Sequence, residues 1–264
     1  MRKKIALFFL VFQLTSVFAQ EQKIEAKQIS VRKIDMDVFV GFDGMGNQYY
    51  IKNNVFSNQN KKEFWQYKNV SLGKITKIDI QNQLKIMLFY ENFNTIILLD
   101  NQLNEAQKIN FSENPTPILV SATGIASQNR LWIYNSLTQE IGLFDYLKNT
   151  FQSITPLLSG NLKYYESDFN TFQWIDDKKN WYSVDVFGKI SIVGKVSDFD
   201  QVQLVSNQEI LFSKDGKLFF QDLSKNSIYR IENVEKSFKN FYYKDQILAI
   251  FTNQGITNYK ITRP

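Results

Sequence analysis

The chain has 264 residues, with 31 Lys and Arg against 26 Asp and Glu, and it contains neither histidine nor cysteine. The missing histidine removes the commonest general base and metal ligand, and the missing cysteine removes thiol nucleophiles, thiolate zinc sites and disulfides. Serine and cysteine triads, zinc centres, haem ligation and thiol redox chemistry therefore each lose a required part.

The first nineteen residues read as an export signal. Arg2, Lys3 and Lys4 precede the apolar run 5–12, and Val17, Phe18 and Ala19 lead into the polar segment that starts at Gln20. A basic start, a short apolar stretch and a small-residue end are the parts of a secretory signal peptide. A membrane span needs about 20 apolar residues, and Gln13, Thr15 and Ser16 interrupt this run early. Cleavage after Ala19 is expected to leave 20–264 as one domain, periplasmic or extracellular, with no integral membrane segment and no cysteine to carry a lipid. It removes three basic residues and no acidic one, so 28 basic residues face 26 acidic ones, a net charge of +2. That balance, with no dense basic run beyond Lys61-Lys62 and Lys178-Lys179, argues against a nucleic-acid or anionic-lipid partner.

Beyond the signal the chain reads as short strands. Residues 25–34 form one strand. Residues 74–80, 84–90, 95–100 and 106–111 form four more, rich in β-branched and aromatic residues and separated by Gln, Asn and Glu turns. The third of these ends in an apolar run followed by Asp100. The same ending recurs at Asp145, Asp185 and Asp222, and in weaker form at Lys68 and Lys260. These markers are separated by 32, 45, 40, 37 and 38 residues, close to the roughly 40 to 45 residues of a four-stranded propeller blade. The sequence thus predicts an all-β fold, a six-bladed β-propeller of four-stranded blades. The last copy ends just after its third strand, so the N-terminal strand 25–34 is expected to complete the last blade and close the ring. No stretch has the apolar spacing of a long amphipathic helix.

The succession of strands with "apolar run then Asp" at the third resembles the blades of WD-repeat and related propellers over residues 25–264. The resemblance implies that Asp100, Asp145, Asp185 and Asp222 close third strands. The Gly-His and Trp-Asp signatures of ordinary WD repeats are absent. The Lys-, Asn-, Ile- and Phe-rich composition and the Val-Phe-Ala-Gln cleavage region are similar to exported proteins of Bacteroidota. In those bacteria small propellers serve outer-membrane machines, the type IX translocon among them, as accessory or plug components. That resemblance implies an outer-membrane complex as a setting, and no motif singles out one component.

Carboxylate chemistry is the one catalytic route the composition leaves open. The acidic groupings are Asp43, Glu166 with Asp168, Asp176 with Asp177, and Asp198 with Asp200. Asp43 lies in Gly41–Gly46, which has neither the spacing of a phosphate loop nor a following helix and reads as a tight turn, and the Asp176-Asp177 pair sits between two aromatic strands and reads as a hairpin loop. Asp198 and Asp200 precede an inner strand; capping that strand is the plain reading and a calcium site the alternative. Aromatic residues make up 15% of the chain. Most are expected in the core between blades, because neighbouring strand residues point to opposite faces. Trp65, Tyr164, Trp174 and Trp181 lie near predicted loops and are the candidate anchors for a partner. The reading that follows is a non-catalytic exported module that binds a protein of the cell envelope, with no cofactor and no metal. A propeller hydrolase using channel carboxylates and a glycan-binding module are the alternatives.

Overall fold

The computed structural model describes residues 22–263; the predicted signal peptide lies outside the described residues. Two N-terminal strands come first, β1 (Gln22–Glu25) and β2 (Lys27–Arg32). Blade 1 holds β3 (Val38–Phe42), β4 (Gln48–Lys52), β5 (Val55–Gln59) and β6 (Phe64–Tyr67). Blade 2 holds β7 (Lys77–Asp79), β8 (Ile86–Tyr90), β9 (Thr95–Leu99) and β10 (Glu105–Asn110). Blade 3 holds β11 (Val120–Ala126), β12 (Arg130–Asn135), β13 (Glu140–Asp145) and β14 (Thr150–Ser153). Blade 4 holds β15 (Leu162–Ser167), β16 (Thr171–Asp176), β17 (Asn180–Asp185) and β18 (Ile190–Lys195). Blade 5 holds β19 (Gln201–Leu204), β20 (Glu209–Lys214), β21 (Lys217–Asp222) and β22 (Ser227–Glu232). Blade 6 holds β23 (Asn240–Lys244), β24 (Ile247–Thr252) and β25 (Gly255–Lys260), and β2 supplies its fourth strand. The protein is the six-bladed, all-β propeller that the repeat predicts.

The ring closes as expected and then goes further. β2 pairs antiparallel with β25, Lys27 opposite Lys260 and Arg32 opposite Ile256. The sequence led us to expect one strand over 25–34, but the segment breaks at Ala26. Before the break, β1 pairs parallel with β22 as a fifth strand of blade 5. Ile24 and Ala26 are buried between blades 5 and 6, so the eleven residues 22–32 tie two neighbouring blades together.

The apolar side chains fill the seams between blades. On β12, Leu131 and Ile133 pack toward blade 2 while Trp132 and Tyr134 pack toward blade 4. On β20, Ile210 and Phe212 face blade 4 and Leu211 faces blade 6. A strand covered on both faces needs apolar residues at odd and even positions alike, which is why β8 and β9 read as unbroken runs, Ile-Met-Leu-Phe-Tyr and Thr-Ile-Ile-Leu-Leu, buried throughout.

The repeated Asp has a local cause. After each third strand its carboxylate folds the turn back: Asp145 Oδ1 accepts from the N–H groups of Leu147 and Lys148, both at 3.0 Å. Asp185 accepts from Phe187 and Lys189, and Asp222 from Ser224 and Lys225. Asp100 accepts from Gln102 and Asn104. Such Asx turns are the local chemistry that makes Asp a strand terminator. In blade 1 the marker placed at Lys68 is displaced: residues 64–67 form the fourth strand, and the third ends before Asn60. Asn60 Oδ1 accepts from Lys62 and Glu63, both at 2.8 Å, so an amide does there what the carboxylate does elsewhere.

Candidate functional site

The first strand of every blade faces the axis. Val40, Asp79, Thr123, Glu166, Gln203 and Tyr242, one from each, line a central cavity of about 390 Å³. Two carboxylates stand in it. Asp79 accepts from the backbone N–H groups of Gln81 at 3.0 Å and Ile125 at 2.9 Å, and from the Gln81 side-chain amide at 3.1 Å. Glu166 accepts a short bond from the Tyr164 hydroxyl and one from the Leu204 N–H at 3.4 Å. Burial raises both carboxyls above their ordinary values; Lys77, which also lines the channel, opposes part of that rise. The Tyr242 hydroxyl is pushed up to about 12, by burial first and then by Glu166. Its ring meets Phe42 edge-on at 5.2 Å and passes so close to Gly41 that a Cβ there would come within 2.9 Å of it. At Gly124 a Cβ would meet Ser167 Oγ at 1.8 Å, so β11 and β15 approach each other as closely as they do because residue 124 is glycine.

Both carboxylates are thus committed to bonds that join neighbouring blades: Asp79 of blade 2 holds Ile125 of blade 3, and Glu166 of blade 4 holds Leu204 of blade 5. Asp198 and Asp200 do not line this cavity. They lie between blades 4 and 5, where Lys163, Lys179 and Lys214 approach Asp198 at 3.6, 3.3 and 2.8 Å. Lys214 and Lys179 hold the Asp198 carboxyl well below the usual range. Three ammonium groups around one carboxylate repel a divalent cation, so the residues do not fit the calcium alternative. Among the described residues no group of three or more acidic side chains is placed to hold a metal.

The four aromatic anchors read from the sequence do not gather. Trp181 is fully buried between blades 4 and 5. Trp174 is 4% exposed, stacked on Tyr182 at 5.2 Å between blades 3 and 4. As surface anchors both are corrected: residues beside a hairpin still point into a seam when a second blade covers that face. Tyr164 lies in the channel beside Glu166. Trp65, on the outer strand of blade 1, is half-buried against the seam with blade 2.

The exposed apolar residues are others. Strand polarity alternates within a blade, so the loops entering each first strand and the turns joining second to third strands share one face. On that face Val70, Phe93, Leu119, Leu137 and Leu157 are all exposed, by 81, 47, 45, 58 and 64%. Contacts link their loops from blade to blade. A Cβ on Gly73 would lie 3.2 Å from the Phe93 ring, and Asn94 donates to the Ile118 carbonyl. Ser136 N–H donates to Leu119, and Leu158 N–H to Gln139. The sequence offered no cue to this band, because its members sit singly in five loops.

These features define the class: a six-bladed β-propeller with a narrow, polar, internally bonded channel and an apolar band on one face. No protein-family model matches the sequence, and no curated protein matches it. Among solved structures, virginiamycin B lyase from Staphylococcus aureus is similar over 84% of this chain and 79% of that one, at 12% identity and a TM-score of 0.56. A protein of unknown function from Bacteroides thetaiotaomicron is similar over 92% and 73%, at 12% identity and 0.58. YCF48, solved with a bound D1 peptide, is similar over 88% and 82%, at 11% identity and 0.52. At such identities the likeness is one of fold.

Proposed function

We propose that the protein is a non-catalytic, exported interaction module that docks a protein of the cell envelope on the face carrying Val70, Phe93, Leu119, Leu137 and Leu157. The observation that carries the reading is that five exposed apolar side chains stand on one face, on loops that contact one another across blades 1 to 4. Contiguous exposed apolar surface marks interaction sites, whereas isolated apolar residues are ordinary. On the opposite face Met45, Leu84, Leu147, Phe169 and Phe187 are exposed at turn tips, and bonds such as Lys85 to Tyr146 and Ser127 N–H to the Phe169 carbonyl link several of those turns as well, so the capture test below compares the two faces directly. The channel supports the same reading, since its two carboxylates bond blades together. A propeller can bind a polypeptide, as YCF48 does.

The test is crosslinked capture from the native envelope, using the intact protein, a variant with Val70, Phe93 and Leu137 each changed to Asp, and one with Met45, Leu84 and Phe187 changed likewise. Retention of one specific protein by the wild type and the second variant, with its loss from the first, supports the proposal. Recovery of no specific protein, or equal capture by all three, overturns it. The hydrolytic alternative draws on Glu166, a carboxyl raised by burial beside Tyr164; turnover of lactone or glycan substrates that Glu166→Gln abolishes would favour it.

A further inference from the structure

We propose that the central channel also binds a zwitterionic α-amino acid with an aliphatic side chain, held between Lys77 and Glu166. The channel volume of about 390 Å³ lies within the range of small-molecule sites. At roughly 30 Å³ for each water-sized unit it has room for about a dozen of them, the scale of one amino acid.

The charged groups of the channel are not all spent on one another. Asp79 is spent, since its two oxygens take three donors, the Gln81 N–H, the Gln81 side-chain amide and the Ile125 N–H. Glu166 differs. Both of its bonds, from the Tyr164 hydroxyl and the Leu204 N–H, end on Oε1, so among the described residues Oε2 stays an open acceptor on the channel wall. The Lys77 ammonium stands 4.9 Å from the centre of the Tyr165 ring. Among the described residues it makes no hydrogen bond or ion pair with Asp79 or Glu166, although its charge acts on both. The Tyr242 hydroxyl, which lines the cavity and senses Glu166, has no hydrogen-bond partner among the described residues. The channel therefore presents an unfilled anionic acceptor and an unfilled cationic donor, beyond ion-pair reach of each other.

The occupant follows from those charges, because a buried charge is costly unless a partner neutralises it. An anion on Lys77 alone would face Asp79 and Glu166, and a cation on Glu166 alone would face Lys77 and Lys244, which lines the same cavity. A molecule with both signs on one carbon satisfies the pair: its ammonium donates to Glu166 Oε2, and its carboxylate accepts from Lys77. The Tyr242 hydroxyl is a neutral third point of attachment. Val40, Ile80 and Val202 form apolar wall beside these groups and suit an aliphatic side chain, not a third charge. This inference goes beyond partner docking, and either can fail without the other.

The test titrates the full mature chain with L-leucine by calorimetry. The controls are N-acetylleucine, which keeps only the negative end, and leucinamide, which keeps only the positive one. Saturable one-to-one binding of leucine is expected, at least about tenfold tighter than either control. Glu166→Gln should bring leucine down to the level of N-acetylleucine, and Lys77→Gln should bring it down to the level of leucinamide. Tyr242→Phe keeps the ring that packs on Phe42 and should weaken leucine about two- to tenfold. Cooperative unfolding of each variant shows that it is folded. No saturable binding of leucine, equal affinity for the three ligands, or undiminished leucine binding by folded Glu166→Gln and Lys77→Gln proteins overturns the proposal.

Discussion

Trp181 donates its indole N–H to the side-chain oxygen of Gln173 at 3.0 Å, inside the seam between blades 4 and 5. A bond between two buried side chains makes one partner costly to leave alone. Trp181→Phe is therefore expected to lose about 1–3 kcal/mol, by stranding the Gln173 amide. Trp181→Ala should lose about 3–5 kcal/mol, by opening a cavity. Urea unfolding of the two variants measures both, and a wild-type midpoint for Trp181→Ala would contradict the buried placement.

The turn carboxylates make a graded prediction. Asp145→Ala removes the acceptor for two backbone N–H groups and should cost about 1–3 kcal/mol. Asn60→Ala should cost a similar amount. Asn60→Asp keeps the oxygen that accepts from Lys62 and Glu63, but it loses the amide donations to Asn47 Oδ1 at 2.9 Å and to the Glu63 carboxylate at 3.2 Å and places like charges side by side, so it should cost about 1 kcal/mol, less than Asn60→Ala. Thermal unfolding of the three variants tests whether residue 60 is the blade 1 member of the series.

Closure of the ring is separable from blade formation. Ile24→Ala, at a buried position on β1, is expected to cost about 2–5 kcal/mol. Removal of residues 22–32 takes away both N-terminal strands and bares the edges of β22 and β25. A bared edge invites pairing with another chain, so the truncated protein should self-associate in light scattering. A peptide spanning residues 22–33, added in trans, should restore the monomer.

The two channel carboxyls set a pH dependence of definite sign. Burial raises Glu166 and Asp79 in the folded state. An acid with a higher folded pKa binds its proton more tightly when folded. Its favourable contribution is complete below the ordinary carboxylate pKa and is lost as pH rises through that value toward the folded one. Glu166→Gln should therefore gain on wild type as pH rises, showing a higher melting temperature at about pH 8 than at about pH 4 relative to the parent. Each kcal/mol recovered corresponds to about 2–4 °C for a chain of this size. Asp198, lowered by Lys214 and Lys179, has the opposite sign: its contribution is present above the ordinary carboxylate pKa and is lost as pH falls.

Reading the fold from the sequence worked because a blade is a local object. Asp145 and the N–H groups it accepts are two and three residues apart, so the marker, the period and the strand count are all written in short stretches of chain. The single misplaced marker, Lys68, had the same cause: Asn60 caps its turn through an amide, and a search for Asp-like endings passed over it. The candidate anchors fared less well. Trp174 and Trp181 adjoin hairpin turns in sequence, but the neighbouring blade covers the faces they point to.

Composition and periodicity determined by themselves that the chain is all-β, that it repeats six times, and that histidine and cysteine chemistry is closed to it. Hydrogen bonds and strand periods act over a few residues, and such information survives in a linear sequence. Only the tertiary structure decided which aromatic residues are core, that Asp79 and Glu166 bind blade to blade around the axis, and that β1 adds a fifth strand to blade 5. Those outcomes depend on which blade lies against which, and burial is a property of the neighbours a side chain acquires when the ring closes.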